Sequence, residues 1–265
     1  MLLPKNLIGV KVVLLAGGLG TRIREETANR PKPMIEVGGY PLLWHSMKNF
    51  RTFGVNQFVI CTGYRSEVIV DYFANLLIRT HDFTIDYGNN SEIEIHADSA
   101  NIDWKVTIVN TGDSRVGTGG RLFRARQYLT EDPFICTYGD GLADVNVSEL
   151  LNFHSKANTI ATMTVTQPEN RFGVAEIEDN YVKTFKEKPK VDGWINSGYF
   201  VFNQEIWKFL DEDCALEQKP LQDLASLGQI SAFKHTGFWQ AMDTYREYEL
   251  LQHLWESGKP PWKNW

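Results

Sequence analysis

Four apolar residues, Val12 to Leu15, run straight into the glycine-rich turn AGGLGTR. A continuous run of β-branched residues and leucines is a buried strand. Gly17, Gly18 and Gly20 have no Cβ atoms, so the backbone amides of the turn can bend inward and approach phosphate oxygens. Thr21 adds a hydroxyl and Arg22 a guanidinium fork. The spacing matches neither the P-loop nor the GxGxxG dinucleotide pattern. A tight turn after a strand also uses glycine, so the glycines alone fit either reading.

The same apolar signature recurs along the chain. NQFVICTGY, KVTIVNTG and PFICTYGDG read as further buried strands. Between them lie helical patterns: PLLWHSMKNFRTFGV ending near Gly54, SEVIVDYFANLL with Ser66 as candidate N-cap, and GGRLFRARQYL. Strand and helix alternate at intervals that suit right-handed crossovers, which predicts an α/β fold with a doubly wound, mostly parallel sheet. The second half changes character. TIATMTVTQ, FGVAEIEDNYVKTFKEKP and INSGYFVFN are closely spaced strand segments, the middle one a hairpin around Asp179 and Asn180. QEIWKFL, PLQDLASLG and YREYELLQHLWESG read as helices, and the tail KPPWKNW does not. The chain therefore reads as a single domain over 1–265. A nucleotide-binding core spans 10–145, and a fused mixed-sheet portion spans 146–265.

The chain has 265 residues and a net charge of −6, which argues against a nucleic-acid surface but leaves room for a local anion site. Cys61, Cys136 and Cys214 show no metal spacing and read as free thiols of a reducing compartment. No run has the length of a membrane span and the start is no signal peptide, so a cytoplasmic protein is expected. His45 and His154 read as packing or surface residues.

Four further segments carry chemistry-bearing residues. In RPKPM, Pro31 and Pro33 stiffen the backbone, so Lys32 leaves from an extended, restricted segment and can be held over an anion. In TYGDG, Asp140 follows a buried strand, where open α/β sheets bind ligands, and suits Mg²⁺ beside a polyphosphate. In FWQAMDTYREY, Asp243 is either a second metal ligand or the cap of the last helix. Glu187 and Lys188 precede Pro189, and Asn196 and Ser197 begin a strand; each pair suits a hydroxylated, phosphorylated ligand or an ordinary turn.

Taken in order, LAGGLGTR…RPKPM, YGDG, RFGV, EKP and MDT resemble the motifs of the sugar-1-phosphate nucleotidylyltransferases, over nearly the whole chain from about residue 10. The segments EVGGYPLLWHSMK, NTGDS…TGGRL, GFWQAMDT and GKPPWK look most like the members that join CTP to α-D-glucose 1-phosphate. The resemblance implies a Rossmann-like, GT-A-like nucleotide-binding fold. It implies that Leu15, Ala16, Gly17, Gly18, Leu19, Gly20, Thr21 and Arg22, with Lys32 and Arg121, bind the nucleotide, Arg22 and Lys32 being catalytic. Gly173, Glu187, Lys188 and Asn196 would surround the sugar phosphate, and Asp140 and Asp243 would hold Mg²⁺. A homo-oligomer is also implied. One departure is visible: the stretch between TGDS and TGGR is about one residue longer than the family pattern. Other readings of the same residues are UTP or dTTP as nucleotide, another sugar 1-phosphate, a non-catalytic nucleotide-sugar-binding regulator, or a nucleotide-sugar glycosyltransferase.

Overall fold

The computed structural model describes residues 7, 9–18, 29–89, 91–96, 102–112, 116–170 and 172–265. At its centre is a seven-stranded sheet. Its strands are β1 (Lys11–Leu15), β2 (Gln57–Thr62), β3 (Lys105–Asn110), β4 (Phe134–Tyr138), β5 (Ala161–Thr166), β6 (Ile195–Phe202) and β7 (Ile230–Lys234). They lie in the order β7-β5-β6-β4-β1-β2-β3. β1 is parallel to β2 and β4, β2 to β3, and β5 to β7, while β6 is antiparallel to both β4 and β5.

Alternate side chains on these strands go to opposite faces, and both faces are apolar. Val12, Leu14, Phe58 and Ile60 meet Leu43, Met47 and Phe50 of α1 (Leu42–Thr52), Ile69 of α2 (Ser66–Ala74) and Leu150 of the helix Val147–Ala157. Val13, Leu15, Val59 and Cys61 meet Leu122 of α3 (Thr118–Arg124) and Leu224 of the helix Lys219–Ser226. Each such side chain gains roughly 1.5–3 kcal/mol by full burial, so neither face can be left wet, and the sheet is covered on both sides.

The chain order places the ligand crevice. After β1 the chain moves outward to β2 and β3, then returns on the other side of β1 as β4. The direction of winding reverses there, and the carboxyl ends of β1 and β4 open a cleft of the kind that binds ligands in open α/β sheets. Gly17 and Gly18 follow β1, and Asp140 follows β4.

Three local expectations are corrected. Ser66 is the first helical residue of α2 rather than its cap; Arg65, in the left-handed region, precedes it, and the Ser66 hydroxyl pairs with that of Thr62 at 2.8 Å. The segment Gln204–Phe209 is a 3₁₀ helix. Lys32 does not sit on extended backbone: Pro31 is extended, but Lys32–Met34 forms a 3₁₀ turn, and burial of all three residues outweighs the extended preference before proline. The hairpin around Asp179 and Asn180 forms as expected, with both residues at positive φ. It leaves Ile177, Tyr181, Val182 and Phe185 exposed. A second hairpin, Asp82–Asp86 with Glu92–His96, was not anticipated. Among the described residues no helix is long and apolar enough to cross a membrane.

A third apolar cluster lies behind the cleft. Ile35, Leu142 and Met242 pack with Leu251 and with Trp262 of the tail. His45 is buried at its edge, donating from Nε2 to the Val37 carbonyl at 2.8 Å and accepting from Trp262 Nε1 at 3.3 Å. Both bonds suit the neutral ring, since a second N–H would face the Trp262 donor. Burial, with the nearby Lys263 charge, lowers its pKa to about 4. Between pH 6.5 and about 4 the unfolded chain binds a proton that the folded chain refuses, so stability falls as pH drops through that window. The full effect is roughly 3 kcal/mol. Urea midpoints at pH 7 and pH 4.5 check this: the loss on acidification should be smaller in His45→Gln, and equal losses in both proteins would contradict it.

Candidate active site

A short ladder brings the two sequence-predicted carboxylates together. Residues Gly141–Ala143 pair antiparallel with Trp239–Ala241, and the Met242 amide donates to the Asp140 carbonyl at 2.9 Å. Asp140 and Asp243 are thereby held side by side across the ladder. The cap reading of Asp243 is decided at the same place. Thr244 is the N-cap of α4 (Tyr245–Glu256), in a reciprocal capping box with Glu247. The Asp243 carboxylate instead reaches Lys32.

Lys32 completes the centre. Its ammonium is buried and donates to Asp140 Oδ2 at 2.8 Å and to Asp243 Oδ1 at 2.6 Å. Burial alone would pull its pKa down, but the Asp140 carboxylate and then Asp243 outweigh that, and the pKa is raised. The ammonium is therefore charged at neutral pH.

Two adjoining cavities meet at these carboxylates. The larger, about 520 Å³, is lined by Leu15, Gly17, Gly18, Lys32, Pro33, Val116, Gly117, Thr118, Arg121, Tyr138, Ala215 and Glu217 with the two aspartates. The smaller, about 200 Å³, is lined by Asn196, Ser197, Tyr199, Trp239, Ala241, Gly141 and Tyr138, again with both aspartates. Leu15, Gly17, Gly18, Lys32 and Arg121 are thus gathered in one cavity, and Asn196 lies in the other. Ala16 is buried between β1 and the turn, its amide bonded to the Cys61 carbonyl at 2.9 Å. Gly173, Glu187 and Lys188 flank the ends of the hairpin and line neither cavity; Glu187 lies beside Gly173. Leu19, Gly20, Thr21 and Arg22 lie outside the described residues.

Arg121 lies beneath the glycine turn. Its guanidinium donates to Thr111 Oγ1 at 2.7 Å and to the Thr62 carbonyl at 3.1 Å. A Cβ at Gly17 or at Gly63 would run into it. Glycine at 17 is thus required by a close approach to a buried cation.

Sequence reasoning missed Tyr138, Glu217 and Trp239 as cavity residues. The Tyr138 hydroxyl donates to Glu217, and the other Glu217 oxygen accepts from Thr118 Oγ1 at 2.6 Å. Burial, followed by the Glu217 charge, pushes the Tyr138 pKa far up, which keeps the phenol a donor. Trp239 is anchored by its indole N–H on the Ser197 carbonyl at 2.7 Å. Tyr138 stands two residues before Asp140, which is a signal of position; Glu217 carries none.

The profile of the family described as "Nucleotidyl transferase" matches residues 11–227. The chain belongs to the nucleotidyl transferase family. Glucose-1-phosphate cytidylyltransferase of Salmonella typhi is 47% identical over 259 residues, covering 97% of this chain and 100% of the relative. The mannose-1-phosphate guanylyltransferase catalytic subunit beta of Xenopus tropicalis is 26% identical over 248 residues, covering 90% of this chain and 62% of the relative. Among solved structures, UDP-glucose pyrophosphorylase complexed with UDP-glucose superposes with a TM-score of 0.67 at 17% identity, covering 94% of this chain and 99% of the other. That last likeness concerns the fold of this nucleotidyl transferase, and agrees with its mostly parallel sheet.

The residues of the centre fit a divalent cation. Among the described residues no cluster of three or more His, Cys, Asp or Glu side chains forms. Two carboxylates converging on one positive group are nevertheless what Mg²⁺ takes, the remaining positions going to water and substrate phosphate. The charge count points the same way. One ammonium and two carboxylates sum to −1 at the junction of the two cavities, a balance that favours a cation.

Proposed function

We propose that this chain joins CTP and α-D-glucose 1-phosphate to give CDP-glucose and pyrophosphate. The supporting observation is the junction of two cavities at Lys32, Asp140 and Asp243, one cavity beneath a glycine turn and one beside Asn196. The choice of CTP and glucose 1-phosphate is supported by the near full-length relative of that name.

A sugar 1-phosphate is already an anionic nucleophile, so the reaction needs no general base and no covalent enzyme intermediate. A phosphate oxygen of the sugar attacks the α-phosphorus of CTP in line. The bond from that phosphorus to the bridging oxygen breaks, and the electron pair leaves with pyrophosphate. The protein must bring two polyanions together and offset the charge that grows on the leaving oxygen. The backbone of Gly17 and Gly18, over Arg121, would carry the CTP phosphates, together with Thr21 and Arg22. Lys32 would exchange its carboxylate partners for phosphate oxygens as CTP enters. Asn196 would orient the sugar phosphate, and Gly173, Glu187 and Lys188 would complete that side. Asp140 and Asp243 would hold Mg²⁺, which supplies charge neutralisation and Lewis acidity when bound.

The test crosses four nucleoside triphosphates with several sugar 1-phosphates and reads pyrophosphate release. CTP with glucose 1-phosphate should give the highest rate. A preference for UTP or dTTP would overturn the base assignment, and release of a nucleotide rather than pyrophosphate would favour a glycosyltransferase.

A further inference from the structure

Resting on that reading, the geometry points to Glu217 as the residue that selects cytosine, its carboxylate accepting from the exocyclic amine of the base. Glu217 lines the larger cavity beside Val116, Gly117, Thr118 and Ala215. Asp140, Asp243 and Tyr138 line both cavities, and Lys32 bridges the two aspartates, so the α-phosphate is assigned to that junction. Tyr138 stands between Glu217 and the sugar side, its hydroxyl accepting from Asn196 Nδ2 at 3.4 Å, and the wall of residues 116–118 and 215–217 beyond it is assigned to the nucleoside.

The carboxylate is fixed at both oxygens. Tyr138 donates to one, and Thr118 Oγ1 donates to the other at 2.6 Å. Thr118 is itself held, because its hydroxyl accepts from the Leu216 amide at 2.9 Å. Tyr138 packs against Gly198, where a Cβ would collide with the ring. Two donors orient the group but do not exhaust it, since a carboxylate offers about four acceptor positions.

A fixed carboxylate turned toward the nucleoside accepts from a neutral donor of the base. Cytosine presents an amine at position 4, and uracil and thymine present a carbonyl oxygen there. The same group that accepts from CTP would repel UTP or dTTP. Glu217 is exposed, so the selectivity expected is that of one base contact and not the larger rejection that follows when a buried polar group is left unpaired.

The experiment compares kcat/KM for CTP and UTP, with glucose 1-phosphate, in the wild type and in Glu217→Gln. The amide keeps the shape, and can donate to the uracil oxygen. The CTP:UTP ratio should fall by about 10-fold or more, the scale of one well-placed base contact. Tyr138→Phe, which loosens the carboxylate, should narrow the ratio less. An unchanged ratio in a folded Glu217→Gln protein overturns the assignment, as does an equal loss on both nucleotides. A lost penalty for 2′-deoxy-CTP at constant CTP:UTP ratio would also overturn it, placing Glu217 on the ribose. A wild type without any preference for CTP is a different outcome: it sinks the parent reading rather than the role of Glu217 within it.

Discussion

Asp140→Asn and Asp243→Asn are each expected to lower kcat by about 100-fold or more, on the scale of losing a major electrostatic stabiliser. Each change removes one negative charge and keeps the side-chain shape. Each also leaves Lys32 with one carboxylate in place of two. The fold should survive, because neither aspartate belongs to an apolar cluster and the backbone ladder between them does not use their side chains. Circular dichroism with a steady-state assay checks both points. Near-normal turnover in Asp243→Asn would reduce that residue to a structural partner of Lys32.

Lys32→Ala should lower kcat and kcat/KM together, again by about 100-fold, because the lost charge is one that acts where the phosphorus becomes pentavalent. A rise in KM at constant kcat would instead make Lys32 a binding residue only. The variant has a second readout, independent of turnover. In the wild type the ammonium occupies the same two carboxylates that would take Mg²⁺. Removing it leaves Asp140 and Asp243 facing one another without that counter-charge. Added Mg²⁺ should therefore raise the Tm of Lys32→Ala more than that of the wild type, as expected for a ligand that binds the folded state. Equal responses would separate the metal from these carboxylates.

Six of the seven strands were legible, the central ones because they are nearly uninterrupted apolar runs; β7, a short and half-exposed strand at the sheet edge, was not anticipated. The Asp179–Asn180 hairpin was legible for the opposite reason, since its alternation and two turn residues are local. The hairpin from Asp82 to His96 escaped notice although its strands alternate and Gly88 and Asn89 mark the turn between them. The site was legible where one segment carries both the functional residue and its constraint, as with Lys32 between Pro31 and Pro33. Even there, burial turned the expected extended backbone into a 3₁₀ turn. Asp243 was ambiguous, although Thr244 and Glu247 already spelled the capping box that assigns the cap elsewhere. Glu217 was beyond reach. It meets Tyr138 and Thr118 across separations of 79 and 99 residues, and only the packing of the chain brings them to one wall.

The most direct test follows the α-phosphorus. CTP labelled at that position is incubated with glucose 1-phosphate and Mg²⁺, and the products are separated. The label should appear in a nucleotide sugar, with unlabelled pyrophosphate released in equal amount, and labelled UTP should react more slowly. Label recovered in free CMP or CDP, or a faster reaction of UTP, would contradict the account.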